Sequence, residues 1–362
     1  MKKKSPLVSV IIPAYRAEYF ISNFIKNISN IHYSNLEVIM VFDPSSDNSV
    51  TIAKQITAGK ENWHIIVNKT HLGIGKSLNL GIKNSKGKYI VFFMTDEFSD
   101  PNCLNELVNF IERVPDQSVG AVVAKILDFN QNDRIQTYRM YLMPQTGYLY
   151  IPEYGFKDSK KYNKPFIGFS GIDGTLFKKE VFEKAGLFDE DIDFNINDLD
   201  MIWRTWLAGF KVVRVPSARI YHWSLKIGRG SVKWEFAYAK MINLFIQNYS
   251  MKYLLIYLPQ LIVVYTIRGL VTLIQGNPDP LKGWIKSIFW SFTYLPKALK
   301  KRKIIQNQIR AVSDEYLHDN IFGKLSLWDF YKHLRWVQRV ITPIMLTKED
   351  KNERILTYSK YK

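Results

Sequence analysis

The chain reads as an α/β protein: a Rossmann-type, mostly parallel sheet flanked by helices, followed by a helical C-terminal region suited to a membrane surface. Three observations predict this. Apolar runs alternate with amphipathic segments up to about residue 125, the pattern of successive βα units. Two of those runs end in acid, at Asp43 and at Asp96-Glu97, where open α/β sheets place their ligands. The most apolar stretch and the densest basic run both lie after residue 232.

The elements follow in order. "MKKKSPLVSVIIPAY" starts with positive charge as a signal peptide does, but its apolar run is short and ends at Pro13. Val8 to Ile12 is therefore read as the first strand, with the catalytic part expected on the cytosolic side. A helix-like "EYFISNFIKNIS", a strand "LEVIMVFD", a helix "NSVTIAKQIT", a short strand "WHIIVN" and a helix "GIGKSLNLGIKNS" come next. "IVFFM" then gives five consecutive apolar residues, which fit a parallel strand covered on both faces. The acids after it read in two ways: ligand groups at the strand's carboxyl end, or a solvated turn before a helix over Cys103 to Ile111 that Asp100-Pro101 opens. Residues 126–231 are more irregular, rich in Gly and Pro, and regain helical pattern at "FKKEVFEKAGLF" and "LDMIWRTWLAGF". The expected division is 1–125 as a nucleotide-binding half, 126–231 as an acceptor half, and 232–362 as a helical, basic, membrane-associated region.

In that last region the uncharged stretch runs from Tyr253 to Ile267, is interrupted by Pro259 and Gln260, and is closed by Arg268. It falls short of the ~18 uninterrupted apolar residues of a transmembrane helix, so an in-plane or re-entrant helix is expected. Trp284, Ile288, Phe292 and Leu295 recur at helical spacing with lysines elsewhere, as in an interfacial helix. The run "KALKKRKIIQNQIR" would meet lipid phosphates. "LWDFYKHLRWVQRV" reads as a further helix.

Composition narrows the partners. The 362 residues suffice for one large domain or a catalytic domain with an appendage. The single cysteine, Cys103, excludes an intrachain disulfide and a cysteine-rich zinc site and fits a reducing compartment. A net charge of +17 implies an anionic partner. The interleaving of basic with aromatic residues suits lipid, and the absence of a zinc-finger or RNP1 pattern argues against nucleic acid.

Several residues carry chemistry. Asp43 ends its strand as Asp96 does, and a carboxylate delivered to that edge can bind a base or ribose; a turn-forming role, which Asp47 could also fill, is the alternative. "GIGKS" at 73–77 imitates a P-loop, but Thr70 stands where a Walker glycine is needed. Lys76 and Asn79 remain candidate nucleotide contacts. Asp198 and Asp200 lead into a helix at i and i+2 and so point in different directions, one toward a site and one free to cap or to pair with Arg204. A carboxylate beside a nucleotide suits a general base. His222 ends the strand-like "KVVRVPSARIYH" and could complete a hard-metal site. Asp173 in "SGIDGT" reads as an acceptor-selecting acid or as a turn residue.

The ordered series "VSVIIPAY", "VFDPSSDNS", "GIGKSLNLGI", "GKYIVFFMTDE" and "GLFDEDI" with "NDLDMIWRTWLAGFKVVRVPSARIYH" resembles the inverting family-2 glycosyltransferases of the GT-A fold over roughly residues 7–231. The tail, with "YLP", "LKG" and "KKRKIIQ", is similar to membrane-associated members that extend lipid-linked glycans. The resemblance implies transfer from a nucleotide-diphosphate sugar to a hydroxyl on a lipid-linked glycan, at the cytoplasmic face of the cell membrane, by a peripheral or monotopic enzyme. Pro13, Tyr15, Asp43, Lys76, Asn79 and Asp96 would bind the donor. Asp96 matches the last acid of the Asp-X-Asp metal motif and His222 a histidine that binds the metal in some members, for Mn²⁺ or Mg²⁺. Asp198 matches the general base, with Asp200 the second acid. Glu97, Asp173, Asp200, Lys226, Arg229 and Ser231 would meet phosphate or acceptor. Two positions depart from the pattern: Met94 replaces the first metal acid, and Asn197 replaces the glutamate before the base. These predict weak metal dependence, and they motivate a rival reading as a catalytically impaired homologue that binds lipid or a partner; the net charge motivates a third, a nucleic-acid-binding module.

Overall fold

The structure is a computed structural model and describes residues 5–147, 149–191, 196–223 and 234–322. It opens with the expected alternation: β1 (Val8–Ala14), α1 (Glu18–Ser29), β2 (Leu36–Phe42), α2 (Ser49–Thr57), β3 (Trp63–Val67), α3 (Ile74–Asn84), β4 (Tyr89–Phe92), β5 (Glu97–Ser99) and α4 (Cys103–Arg113). The middle contributes β6 (Val119–Asp128), β7 (Ile135–Thr137), β8 (Tyr141–Leu142), β9 (Leu149–Tyr150), β10 (Phe166–Ile167), β11 (Thr175–Lys178), α5 (Lys179–Ala185), α6 (Asn197–Leu207) and β12 (Lys211–His222). Helices α7 (Trp234–Asn248), α8 (Met251–Ile274), α9 (Asp279–Ile304) and the short α10 (Asp314–Leu317) follow.

The main sheet has the order β10-β12-β6-β11-β4-β1-β2-β3, with β5 added to β12 and β7 to β6. The β3-β2-β1-β4 half is wholly parallel, because each strand is followed by a helix long enough to cross back over the sheet. The other half is mixed, and the longest ladders of the sheet are parallel, as expected. β11 runs antiparallel to both β4 and β6, and only β6 and β12 pair in parallel. The strands between residues 129 and 178 are two to four residues long and lack crossover helices, so hairpin-like returns replace βα units.

The sheet is covered on both faces. One apolar cluster sets α1 and α4 against Val10, Ile12, Met40 and Val91. The other runs from Ile11 and Phe92 through α3, α5 and α6 and on to Tyr249, Trp284 and Phe322. The C-terminal helices therefore share a core with the sheet. Trp203 of α6 meets Tyr249 edge-on at 4.8 Å and Phe322 at 5.6 Å.

Two expectations for the C-terminal region change. The apolar stretch forms one continuous helix, α8, of 24 residues that passes through Pro259 and Arg268, long and apolar enough by length and composition to cross a membrane. In α9 the outward face is Ile285, Phe289, Phe292 and Leu299. Trp284 is buried and donates its indole N–H to Thr266 Oγ1 at 2.9 Å, while Ile288 and Leu295 pack inward. The basic run is also partly internal. Arg302 donates to the carbonyls of Ile246 and Tyr249, and Gln306 to those of Gln247 and Asn248, satisfying the carbonyls that α7 leaves open at its C-terminus. Lys300 and Lys303 stay exposed. The helix expected at 327–340 lies outside the described residues.

Candidate functional site

A cavity of about 680 Å³ opens at the carboxyl ends of β1, β2 and β4, between the loop before α3 and the start of α6. Strand ends create it. Each parallel strand stops at the same edge, so residues distant in the chain converge there. Of the residues singled out in the sequence, Pro13, Tyr15, Asp43, Asp96, Asp173, Asp198 and His222 line it.

Asp43 is 4% exposed and accepts hydrogen bonds from the backbone N–H groups of Leu72 at 3.2 Å and Gly73 at 2.8 Å and from Asn68 Nδ2 at 2.7 Å. The Gly-rich stretch that imitates a P-loop thus serves this carboxylate: Gly73, with φ of +82°, aims its N–H there in a conformation only glycine adopts freely. Beside it His71 Nδ1 lies 3.1 Å from Asp43 Oδ2, and its ring packs on Tyr15 at 4.6 Å. Tyr15 is 46% exposed, so the pair presents an aromatic wall to the cavity next to a buried acceptor.

The "TDE" turn separates its two acids. Glu97 N–H donates to the Met94 carbonyl, and Glu97 Oε2 accepts from Met94 N–H at 2.8 Å. Glu97 is thereby buried as the clamp of its own turn; burial first, then the neighbouring charges of Asp173 and Asp96, push its carboxyl well above the usual range. Asp96, in the turn, points to the cavity. Its Oδ2 lies 3.6 Å from His222 Nε2. His222 Nδ1 sits 2.9 Å from Gln136 Oε1, which fixes the ring and leaves Nε2 facing Asp96.

The acceptor side is built by Gly171 and α6. The Oδ2 atoms of Asp198 and Asp173 flank Gly171, lying 3.4 Å and 4.0 Å from where a Cβ there would stand. Asp198 is closely packed by protein but borders the cavity, and burial, reinforced by the Asp173 charge, raises its carboxyl to about 6. Its Oδ1 accepts from the Leu199 N–H at 2.8 Å. Behind Asp173 the buried Arg214 is held by the Tyr138 and Ala124 carbonyls. Burial lowers its guanidinium to about 9, against the pull of Asp173.

Other expected site residues have different duties. Asp200 is 1% exposed and forms an ion pair with Arg204 at 2.6 Å, with Asn248 Nδ2 at 3.3 Å; it is an internal counter-ion and not a phosphate or acceptor contact. Asn79 is buried, donates to the Phe188 carbonyl at 2.9 Å and to Glu190, and accepts from Phe188 N–H at 2.9 Å, so it fastens a loop and does not face the donor. Lys76 points to solvent on α3, away from the lining. Lys226, Arg229 and Ser231 lie outside the described residues. Met94 and Asn197, the two departures, both line the cavity.

Sequence reading missed Arg16, His71, Ser77 and Gln136. His71 stands two residues before "GIGKS" and could have been found there. Gln136 carries no local signal, since it meets His222 only through the pairing of β6 with β7 and β12.

Chemically, the site joins an aromatic wall and a buried acceptor for a ring, an Asp–His pair for a cation, and a carboxylate with a near-neutral pKa for proton removal. Among the described residues no group of three potential metal ligands occurs. Asp96 and His222 Nε2, which face one another at 3.6 Å, still fit a hard cation that takes its remaining ligands from phosphate oxygens and water.

Residues 9–186 match the model of glycosyl transferase family 2. An uncharacterized glycosyltransferase of Rickettsia prowazekii is 29% identical over 227 residues, which is 60% of this chain and 62% of that one; the chain spans under two thirds of the length of the curated relatives it matches first. Among solved structures, S. aureus TarS residues 1–349 superimposes with a TM-score of 0.54 at 15% identity, covering 83% of this chain and 86% of that one. GalNAc-T7, crystallised with UDP, GalNAc and Mn²⁺, gives 0.54 at 14% identity over 70% of this chain and 49% of that one. These likenesses carry the fold.

Proposed function

Because residues 9–186 place the chain in glycosyl transferase family 2, we propose that it moves a sugar from a nucleotide-diphosphate sugar to a hydroxyl acceptor with inversion, and that Asp198 is the base. The observation that carries this is the position of Asp198: a carboxylate raised to about 6 at the cavity wall, opposite the strand ends that carry Asp43 and Asp96.

In this reading Tyr15 and His71 pack against the nucleobase and Asp43 accepts a hydrogen bond from it. Asp96 and His222 would hold Mn²⁺ or Mg²⁺, which when bound neutralises charge on the diphosphate. Asp198 takes the proton from the acceptor hydroxyl as that oxygen attacks the anomeric carbon. The bond to the diphosphate breaks in the same displacement, so the configuration inverts. Asp173, beside Asp198, receives a further hydroxyl of the acceptor and keeps the base's pKa near neutral. At that value the carboxylate is both largely ionised at neutral pH and basic enough to assist.

The exposed apolar faces of α8 and α9 support a lipid-linked glycan as acceptor and a position at the cytoplasmic face of a membrane. The window of α8 suited to a membrane is only 22% buried, and Phe289 and Phe292 are each 68% exposed. The division at about residue 231 is kept as a functional one, with catalysis before it and membrane contact after it.

The test is nucleoside diphosphate release from UDP-, GDP- and dTDP-sugars in detergent, with and without Mn²⁺. Release from one donor, accelerated by the cation, is expected. Absence of both release and donor binding across the panel would remove the assignment and favour a partner-binding homologue.

A further inference from the structure

Helix α9 has two faces with different duties. Tyr294, Lys297 and Lys301 recur at i, i+3 and i+7 on one; Ile285, Phe289, Phe292 and Leu299 occupy the opposite one. The first face grips the segment that leads into α6. Lys301 Nζ lies 2.5 Å from both Asp189 Oδ1 and Asp191 Oδ2, Lys297 Nζ 2.5 Å from Asp191 Oδ1, and the Tyr294 hydroxyl 3.2 Å from Asp191 Oδ2 and 2.8 Å from Lys301 Nζ. These groups are partly enclosed: Lys301 is 23% and Asp189 9% exposed.

The gripped segment is also tied from two other sides. Asn79 of α3 bonds Phe188 and Glu190, and Arg204 of α6 donates to the carbonyls of Ala185 and Leu187 while pairing with Asp200. Burial first, and then the charge of Asp200, push the Asp189 carboxyl above its usual range, and the Lys301 ammonium opposes both; Arg204, which holds this segment's carbonyls and Asp200 together, links it to the first turn of α6. That turn carries Asp198.

We propose that Lys301, with Lys297 and Tyr294, positions the base-bearing start of α6, so that the C-terminal helices complete the active site from behind as well as presenting an apolar face. The inference rests on the assignment of Asp198 as base. It makes the acid-base chemistry depend on a helix whose other face is directed outward, and no residue of the clamp touches substrate.

The experiment compares Lys301→Met with Lys301→Arg in the full-length protein, below the melting temperature of each. Misplacing a catalytic group by about 1 Å can cost about a hundred-fold in rate, so kcat in Lys301→Met is expected to fall by about that factor. Donor KM should stay within about twofold, because the cavity wall that binds the nucleotide is untouched, and Lys301→Arg should recover most of the rate because it keeps a cation in place. Hydrogen exchange in peptides covering 186–191 and 196–200 is expected to accelerate in Lys301→Met and to return to the wild-type rate in Lys301→Arg. Unchanged kcat with unchanged exchange would overturn the proposal, as would a loss confined to melting temperature. Should Lys301→Met not fold, Lys297→Met and Asp191→Asn are judged by the same criteria. If the wild type turns over no donor, the parent reading fails, and exchange alone then decides whether the clamp exists.

Discussion

Asp198 and Asp200 stand two residues apart in the first turn of α6 and have opposite fates. Asp198 borders the cavity; Asp200 turns inward to Arg204. For Asp198→Asn the expected loss of turnover is about 10²–10⁴-fold, the range of a general base, with donor affinity unchanged in a binding titration. Because the wild-type carboxyl is raised to about 6, kcat/KM should climb with pH through that value, and the climb should vanish in the variant. The same shift has a sign for stability. The folded state binds this proton more tightly than the unfolded chain, whose pKa is near 4, so the contribution of Asp198 to stability is fully present below about pH 4 and is lost as pH rises through about 6, by up to about 3 kcal/mol. Asp198→Asn should therefore melt higher than wild type at pH 7.5 and alike at pH 4 by calorimetry. Arg204→Met should do the reverse of a catalytic lesion: it strands Asp200 in the core, at a cost of about 3–5 kcal/mol, seen as a lower denaturation midpoint. Spacing at i and i+2 made it legible that the two acids diverge. Which one faced the cavity depended on Arg204 and Asn248, the latter 48 residues away.

Elements set how well these residues are held. Helix α3 lies on β1 so closely that a Cβ at Gly81 would sit 2.4 Å from Ile11 Cγ2. In a free helix Gly→Ala gains about 1 kcal/mol. Here the clash with a buried strand costs about 1–3 kcal/mol, and the two nearly oppose. Because Ile11 is fully buried at the centre of the sheet, the clash should win, and Gly81→Ala should lower the urea midpoint; a raised midpoint would show that α3 can lift off β1. The parallel half of the sheet was legible because each of its strands ends in turn formers before a helical pattern. The antiparallel β11 was not: "TLFK" is four residues with no alternation of its own, and its place between β4 and β6 is set by partners more than fifty residues away. The stripe on α9 was legible as a stripe and misread as to side. Trp284 looks like an interfacial anchor in sequence, yet Thr266 of α8 satisfies its N–H and the core encloses its ring.

At the scale of the molecule, the charge of +17 and the exposed apolar helices must be read together. Part of the basic run is consumed internally, by α7's carbonyls and by Asp189 and Asp191, so the net charge overstates what is available to an anionic surface. Lys282, Lys286, Lys300 and Lys303 remain exposed on α9, beside Phe289 and Phe292. An electrostatic share from such lysines is screened by salt, being worth about 1 kcal/mol each near an anionic leaflet at low ionic strength, whereas an aromatic side chain taken from water contributes about 1.5–3 kcal/mol that salt does not remove. The two shares can thus be separated. Phe289→Ser with Phe292→Ser should lower co-sedimentation with vesicles of mixed neutral and anionic lipid by about tenfold or more at high salt, and leave turnover of a soluble acceptor unchanged, since neither ring reaches the cavity. If binding persists in the double variant and disappears only with salt, the lysines and not the apolar face hold the protein to lipid. If it persists in both, α8 carries the contact, and its 24 residues must enter the bilayer further than an in-plane helix does.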